Sequence, residues 1–463
     1  MKGIRVGRLE LCEARAFVID AILRANGILL TTLVALAALF LIPSNSTFLY
    51  YWQGGLFLEG FEVVRWIIIL FIGSFYFFSR DGSRDAFVLI TLALVLAALL
   101  PTLLYEGSKE LWAHNWLAYV AAVMLVSMLV HRRPKELLAG VLVAACGLSV
   151  CNVVSMLLFP GGVYAAEFYF YDNRNAAYQI SFLSLVCSLL LDYAFRKRFS
   201  LRSLVVFFVV TAQTLLSGSA TTLLAMLFLV ASLLVVQKKR MRGFFNGLTM
   251  LVGSGILFLL VVVVRIENHM GPFIAGVFGK SITFSGRTPI WDLVFALLDG
   301  QHVFFGYGVS GNEYLIINQV HYYHTHNIYL DILFTSGLIG LVLMLCLLGL
   351  TAIRLYKSRY NISIAILSSF FGAYLIVGIM EPMANVSFFL FISLAYYWSK
   401  RGRQTWDGGI SPSCRNAYKS NRGSKRTPVR CGGFSASRII PRGSALLSNR
   451  LLFRGLSSPG SLR

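Results

Sequence analysis

Long apolar segments recur along almost the whole chain and leave few ways for it to fold. Of the 463 residues, 57% are hydrophobic and only 13% are charged. A helix needs about 20 mostly apolar residues to cross a bilayer. Such segments occur at 25–43, 62–79, 86–105, 115–130, 136–159, 176–195, 201–217, 220–236, 243–264, 332–354, 362–380 and 384–399. Lipid offers no hydrogen bonds to the backbone, so these segments must be helices. The sequence therefore predicts an all-α integral membrane protein with about twelve transmembrane helices.

The net charge of +21 is distributed as in a membrane protein and not as in a nucleic-acid-binding protein. From Lys400 to the C-terminus there are 14 Lys/Arg residues and one acid, Asp407, so +13 of the charge lies in the tail. Other basic clusters follow alternate apolar segments, as expected for cytoplasmic loops. They are Arg132/Arg133/Lys135, Arg196/Lys197/Arg198, Lys238/Lys239/Arg240/Arg242 and Arg354/Lys357/Arg359. Spans with both termini in the cytoplasm fit this pattern and place the long insert between spans nine and ten outside the cytoplasm.

This topology divides the chain into three regions. Residues 1–24 form a cytoplasmic N-terminal segment, and residues 25–400 form a polytopic membrane domain with one large extracytoplasmic insert at about 265–331. Residues 401–463 are rich in Arg, Ser and Gly and show no sustained periodicity. We expect a basic, disordered cytoplasmic tail, because such a segment buries too little apolar surface to become ordered. An out-of-frame or weakly constrained extension is the alternative for this tail.

The insert is the long polar interruption of the apolar series, and Arg287 is its strongest candidate residue. It follows Gly286 and precedes Trp291 in the run Gly-Arg-Thr-Pro-Ile-Trp. A guanidinium presents a rigid fork of donors that suits phosphate oxygens. Lys and Arg are usually concentrated in cytoplasmic loops, so a cation outside the cytoplasm indicates a specific role. We expect Arg287 to bind an anion, with an ion pair to Asp292 as the structural alternative.

Two further cations lie at predicted exported ends of spans. Arg174 stands between two asparagines ahead of span six, and Arg265 closes span nine. Each is a second candidate for a phosphate ligand. The structural alternatives are a salt bridge to Asp172 for Arg174, and a side chain that merely reaches the interface for Arg265.

Three histidines, His321, His324 and His326, lie together ahead of span ten. Histidine titrates near neutrality and can remove a proton from an attacking hydroxyl. A zinc site needs three or four ligands with suitable spacing. The i, i+2 spacing of His324 and His326, without an accompanying Cys or HExxH pattern, disfavours zinc. The residues alone leave both a general base and a purely structural role open.

Ionisable residues within the spans are a further set of candidates. Glu62 and Arg65 stand three residues apart in span two, where they could pair on one helix face. Glu381 stands at the end of span eleven. All three lie near predicted exported ends, so an interfacial role is the alternative for each of them.

Several motifs occur in a fixed order around the insert. They are the run from Gly279 to Trp291, the Phe-Gly-Tyr-Gly turn at 305–308, His326-Asn327-Ile328-Tyr329-Leu330, and Gly337-Leu338-Ile339-Gly340. This combination resembles the exported loop of the O-antigen ligase and polymerase superfamily, closely over about 279–342. Residues 173–177 and 215–220 resemble two further family elements. In the second of these the serine is often followed by Arg, whereas this chain has Ala220.

The resemblance implies a metal-independent, inverting membrane glycosyltransferase in the bacterial inner membrane, with its active site facing the periplasm or cell exterior. The implied donor is a glycan carried on undecaprenyl diphosphate. The acceptor is either another lipid-linked glycan, which makes the protein a polymerase, or a lipid A core sugar, which makes it a ligase. The polymerase is favoured. Neither a metal nor another cofactor is implied, and membrane lipids but no nucleic acid are expected as partners.

The resemblance also assigns roles to single residues. His326 is the expected general base, with His324 as an alternative base. The expected diphosphate ligands are Arg287, Arg174 and Arg265, and the expected supporting residues are Gly286, Trp291 and Asn327. A transporter or flippase of lipid-linked oligosaccharides is the alternative from another class. It would place its functional charges near the bilayer midplane, whereas these candidates gather in one exported insert.

Overall fold

The computed structural model describes residues 26–42, 56–79, 85–163, 167–266, 287–309, 314–317, 319–322, 324–382 and 384–407. The predicted N-terminal segment 1–24, Gly286, the first part of the insert and residues 408–463 of the tail lie outside the described residues. The helices are α1 (Asn26–Leu41), α2 (Leu56–Ser79), α3 (Ala86–Leu104), α4 (Lys109–Arg132), α5 (Pro134–Leu158), α6 (Arg174–Arg196), α7 (Leu201–Ser217), α8 (Ala220–Val235), α9 (Gly247–Val263), α10 (Arg287–Leu297), α11 (His302–Phe305), α12 (Ile328–Lys357), α13 (Ile362–Gly378) and α14 (Val386–Asp407).

The prediction of an all-helical chain is confirmed, because each predicted apolar segment coincides with one of these helices. Short 3-10 or π-helical stretches are included in α4, α6 and α9. One small feature was not predicted: within the insert, β1 (Ile316–Ile317) pairs antiparallel with β2 (Val320–His321). This hairpin is two residues long on each side, too short to read from a hydrophobic pattern.

The helices define a multi-pass membrane protein. Six stretches are long and apolar enough to cross a bilayer: Glu59–Phe78, Ala86–Leu104, Lys109–Arg132, Pro134–Leu158, Arg174–Arg196 and Ile328–Lys357. Four shorter helices, α7, α8, α9 and α13, are also apolar. The outer face of α2 exposes Leu70, Phe71 and Phe77 at more than 60% each. Large apolar patches of this kind need a nonaqueous partner, which lipid supplies. The exact number of spans stays a prediction.

The centre of the protein is formed by α13 with α6 and α14. Nearly every residue of α13 is buried, and α13 packs against α6, α8, α9 and α12. Aromatic rings join the three central helices, with Tyr374 of α13 edge-on to Phe182 of α6 and stacked on Phe391 of α14. Because other helices surround α13, its C-terminal end is held in a fixed position.

Helix α12 is interrupted at Gly337, whose φ of +63° is left-handed. The break leaves two carbonyl groups without helical partners, and the glycine-rich turn after α11 donates hydrogen bonds to them. The Tyr307 N–H donates to the Phe334 carbonyl at 2.7 Å, and the Gly308 N–H donates to the Thr335 carbonyl at 3.0 Å. A break in an apolar helix is tolerated when neighbouring groups satisfy the freed backbone. The Phe-Gly-Tyr-Gly motif is therefore a packing element that closes on α12.

Candidate functional site

The candidate site lies where several helix ends meet. The N-terminal ends of α6, α8, α10 and α12 converge with the C-terminal end of α13 around two adjoining cavities. All of these ends are exported in the predicted topology. The basic clusters that follow α4, α6, α8 and α12 lie at the other ends of their helices.

Asn327 holds the beginning of α12 to the end of α13. Its side-chain oxygen caps α12 by accepting the N–H groups of Tyr329 and Leu330, at 2.9 and 3.0 Å. Its amide nitrogen donates to the Ile379 carbonyl at 2.8 Å. Asn327 is fully buried, so these bonds form away from water and fix the geometry firmly. Asn327 therefore fixes the turn beside His326, and its supporting role in the site stays a prediction.

Trp291 anchors α10 to the same turn. Its side chain is fully buried, and its Nε1 donates to the carbonyl of Thr325 at 2.9 Å. Ile290 and Val294 of α10 are buried beside it. Because Arg287 is the first residue of α10, this anchor sets the position of the guanidinium relative to the histidine turn.

Glu381, just beyond α13, lies between Arg287 and His326. Its Oε1 accepts a hydrogen bond from Nη2 of Arg287 at 2.5 Å. Its Oε2 lies 3.6 Å from Nδ1 of His326, which is too long for a hydrogen bond but close enough to attract the ring when the ring is protonated. The carboxylate is buried. The Glu381 carboxylate thus lies between a cation, the Arg287 guanidinium, and a titratable ring, the His326 imidazole.

The backbone of His326 is left-handed, with φ of +51°. Few residues other than glycine adopt this conformation, and it is held only where the surroundings enforce it. Here the enforcement comes from Asn327 on one side and Thr325 on the other, where the Thr325 Oγ1 donates to the Asn327 carbonyl at 2.9 Å. The turn therefore presents the His326 ring to the cavities.

His324 packs edge-on against His326, with ring centroids 4.0 Å apart. Burial, together with the nearby His326 and Arg287, lowers the pKa of His324 to about 3. A neutral ring with so low a pKa is a weak base near pH 7. This favours His326 over His324 for proton transfer. The side chain of His321 lies outside the described residues.

The two other predicted phosphate ligands lie in different places. Arg174 lines one of the cavities and pairs with Glu167 at 2.9 Å, rather than with Asp172. Arg265 pairs with Asp292 at 2.5 Å and lies over the Trp291 ring at 5.3 Å. Asp292 is thus the partner of Arg265, not of Arg287. The structure brings Arg174 and Arg287 together on one cavity wall and leaves Arg265 beside Trp291.

The two cavities have different linings. One, of about 410 Å³, combines Arg174 and Arg287 with apolar side chains such as Leu224, Leu257 and Val261. We call it the apolar cavity. The other, of about 630 Å³, is lined largely by amide, carboxylate and tyrosine side chains, and we call it the polar cavity. His326 and Tyr322 line both, so the ring of His326 stands at their junction.

Among the described residues, one group of side chains has metal-ligand spacing, and it consists of Glu62, Glu110 and His114. The Trp66 indole N–H donates to Nε2 of His114 at 2.8 Å. Because that nitrogen must accept, Nδ1 of the neutral ring carries the proton and faces Glu62 at 3.9 Å. An N–H group is not a metal ligand, so this arrangement does not favour a metal.

Sequence reasoning gave Glu381 no specific role, and it missed Glu167. Glu381 was recognisable only as an acid at the end of an apolar segment, and its link to Arg287 spans 94 positions. Glu167 carried no signal beyond being an acid near Arg174 in the loop between α5 and α6.

Residues 204–345 match a protein-family model described as O-antigen ligase. This segment is thus similar to the O-antigen ligase family, a family of membrane glycan-transfer proteins of the ligase and polymerase type. The matched segment contains Arg265, Arg287 and His326, whereas Arg174 and Glu381 lie outside it. No curated protein and no solved structure matches the chain.

Proposed function

We propose that this protein transfers a glycan from an undecaprenyl-diphosphate-linked donor to a sugar hydroxyl outside the cytoplasm. The observation that carries this proposal is the contact of Arg287, Glu381 and His326 at the junction of an apolar and a polar cavity. A lipid-linked diphosphate needs an apolar groove and cations, and a sugar acceptor needs a polar pocket and a base. The protein then works in the bacterial inner membrane, with the site facing the periplasm or the cell exterior.

The apolar cavity suits the donor. Arg174 and Arg287 lie on its wall, together with the N-terminal end of α8 at Ser219 to Thr221. A helix N-terminus and guanidinium groups both stabilise phosphate oxygens. As the bond between the anomeric carbon and the phosphate oxygen breaks, its electron pair passes to the diphosphate. Cations already in place stabilise that developing charge.

His326 is placed to act as the general base. The acceptor hydroxyl, held in the polar cavity, attacks the anomeric carbon while the His326 ring takes its proton. The Glu381 carboxylate then stabilises the imidazolium that forms, in the manner of the acid in a Ser-His-Asp triad. Attack opposite the leaving diphosphate inverts the anomeric centre, and no metal takes part.

The acceptor distinguishes two versions of this reaction. We favour a polymerase, in which the acceptor is another lipid-linked repeat unit, with an O-antigen ligase acting on lipid A core as the alternative. The full-length protein in nanodiscs should be given undecaprenyl-diphosphate-linked repeats, first alone and then with lipid A core. A ladder of longer products without core indicates a polymerase, whereas transfer only in the presence of core indicates a ligase.

Substitutions test the site itself. His326→Ala and Arg287→Ala should each lower transfer by at least about 10²-fold, because each removes a group that acts in the transition state. Both variants should still reach the membrane, as measured by fractionation. Arg240→Ala changes an exposed cation between α8 and α9 and should behave as wild type. Normal product lengths from both site variants would contradict the proposed mechanism.

A further inference from the structure

A buried arginine, Arg65, lines the polar cavity on the side of α2. It is 3% exposed, and its Nε and Nη1 have no hydrogen-bond partner among the described residues. Glu62, one helical turn earlier, faces His114 instead and attracts Arg65 only over a longer distance. The predicted pairing of Glu62 with Arg65 is therefore not formed as a direct contact within the described part of α2.

The carboxylates of the polar cavity are engaged by other groups. Two of them are held by arginines, in the pairs Glu167–Arg174 and Glu381–Arg287. Asp172 accepts the backbone N–H of Asn173 at 2.7 Å. Within the described lining, Arg65 is thus a buried cation at the cavity wall without a paired carboxylate.

A buried guanidinium is unfavourable unless an anion and hydrogen bonds compensate it. An ionisable residue retained inside a membrane domain is a sign of ligand binding. We propose that Arg65 binds an anionic group of the acceptor saccharide, either the carboxylate of a uronic acid or a sugar phosphate. This inference rests on the proposed function and adds the chemical class of the acceptor to it.

The rest of the cavity favours a saccharide as the carrier of that anion. Asn115, Asn173 and Asn175 also line this cavity and carry amide groups of the kind that bind sugar hydroxyls. The cavity also extends to His326. Arg65 and His326 therefore line one cavity, in which a glycan bound by its acidic group can present a hydroxyl to the proposed base.

Direct binding provides the test. The full-length protein in phosphatidylcholine nanodiscs is titrated with three disaccharides: glucuronosyl-glucose, cellobiose phosphate and neutral cellobiose. We expect at least one charged disaccharide to bind the wild type about tenfold more tightly than cellobiose, as one charge-assisted interaction would give. The charged disaccharide that binds more tightly shows whether the anion is a carboxylate or a phosphate. Arg65→Gln should remove the preference, and Arg65→Lys should keep part of it.

Lys239→Gln is the matched control, because it removes an exposed cation outside the cavity. It should keep the full preference. Equal wild-type binding of all three disaccharides would overturn the inference, and so would an unchanged preference in Arg65→Gln. A preference that disappears when phosphatidylglycerol is added to the nanodiscs would assign Arg65 to a lipid headgroup, which also overturns it. The wild-type comparison needs no substitution, so the absence of a preference there overturns the inference even where a variant folds poorly.

The binding assay contains no donor and is independent of the transfer assay. A wild-type protein that prefers the charged disaccharide but transfers nothing from any lipid diphosphate contradicts the proposed reaction and leaves an anionic saccharide site. A protein that transfers glycan but shows no preference contradicts only the role of Arg65.

Discussion

Glu381 is the residue on which the site geometry depends most. It accepts a hydrogen bond from Arg287 with one oxygen and lies 3.6 Å from His326 with the other. In its buried position the attraction between these groups is stronger than it would be in water. One carboxylate thus contacts both the proposed phosphate ligand and the proposed base.

Glu381→Gln keeps the shape of this side chain and removes its charge. We expect kcat to fall by about 10²-fold with a smaller change in KM, because the imidazolium that forms in the transition state loses its stabilising anion. The measurement is steady-state transfer with a lipid-diphosphate donor. Glu136→Gln, at the ion pair with Arg133 near the beginning of α5, is the control. Equal kcat values for Glu381→Gln and wild type would show that the carboxylate does not assist catalysis.

At the scale of single elements, the interrupted helix α12 supports the site. Its first part follows the N-cap residue Asn327, which is next to His326, and ends at Gly337. The glycine-rich turn after α11 closes on the break through two backbone hydrogen bonds. The two parts of α12 can therefore follow different directions without leaving polar groups exposed to lipid.

Gly337→Ala should destabilise the protein. Alanine is strained at the positive φ of this position, and its Cβ would collide with the backbone of Phe304. Together these effects should cost more than about 2 kcal/mol. The measurement is the thermal unfolding midpoint in detergent. Gly349→Ala lies in the same helix with no atom near the added Cβ, and it should be neutral or stabilising by up to about 1 kcal/mol. Equal midpoints for the two variants would contradict the account of the break.

At the scale of the whole molecule, the helix ends create two cavities of different polarity that share His326. The lipid tail of the proposed donor and the sugars of the proposed acceptor have opposite solvent requirements. In the proposed reaction, the adjoining apolar and polar cavities hold one of these parts each, with the His326 ring between them. Ala220, at the first position of α8, lines the apolar cavity.

Ala220→Arg should therefore add a cation to the wall that we assign to the donor diphosphate. We expect KM for the lipid-diphosphate donor to fall about threefold to tenfold, which is the effect of one additional charge-assisted contact. The unfavourable placement of a cation at a helix N-terminus opposes this by only about 0.3–1 kcal/mol. Ala220→Gln has similar length without charge and should leave KM nearly unchanged. An unchanged KM in Ala220→Arg would indicate that the diphosphate binds elsewhere.

The sequence by itself determined which segments are helical. Every predicted apolar segment is a helix, because an apolar run in lipid has to satisfy its backbone within itself. The motif order also pointed to Arg287 and His326 as site residues, and the structure brings them into contact with one carboxylate. These are local properties that a linear pattern can carry.

Only the tertiary structure decided which charges meet. Sequence spacing suggested ion pairs of Arg287 with Asp292 and of Arg174 with Asp172. In the folded protein Arg287 pairs with Glu381, and Arg174 pairs with Glu167. The same packing places Arg265 on Trp291, outside both cavities, and leaves Arg65 facing the polar one. Such pairings depend on how helices far apart in sequence approach each other, since charge attraction acts over distances in space.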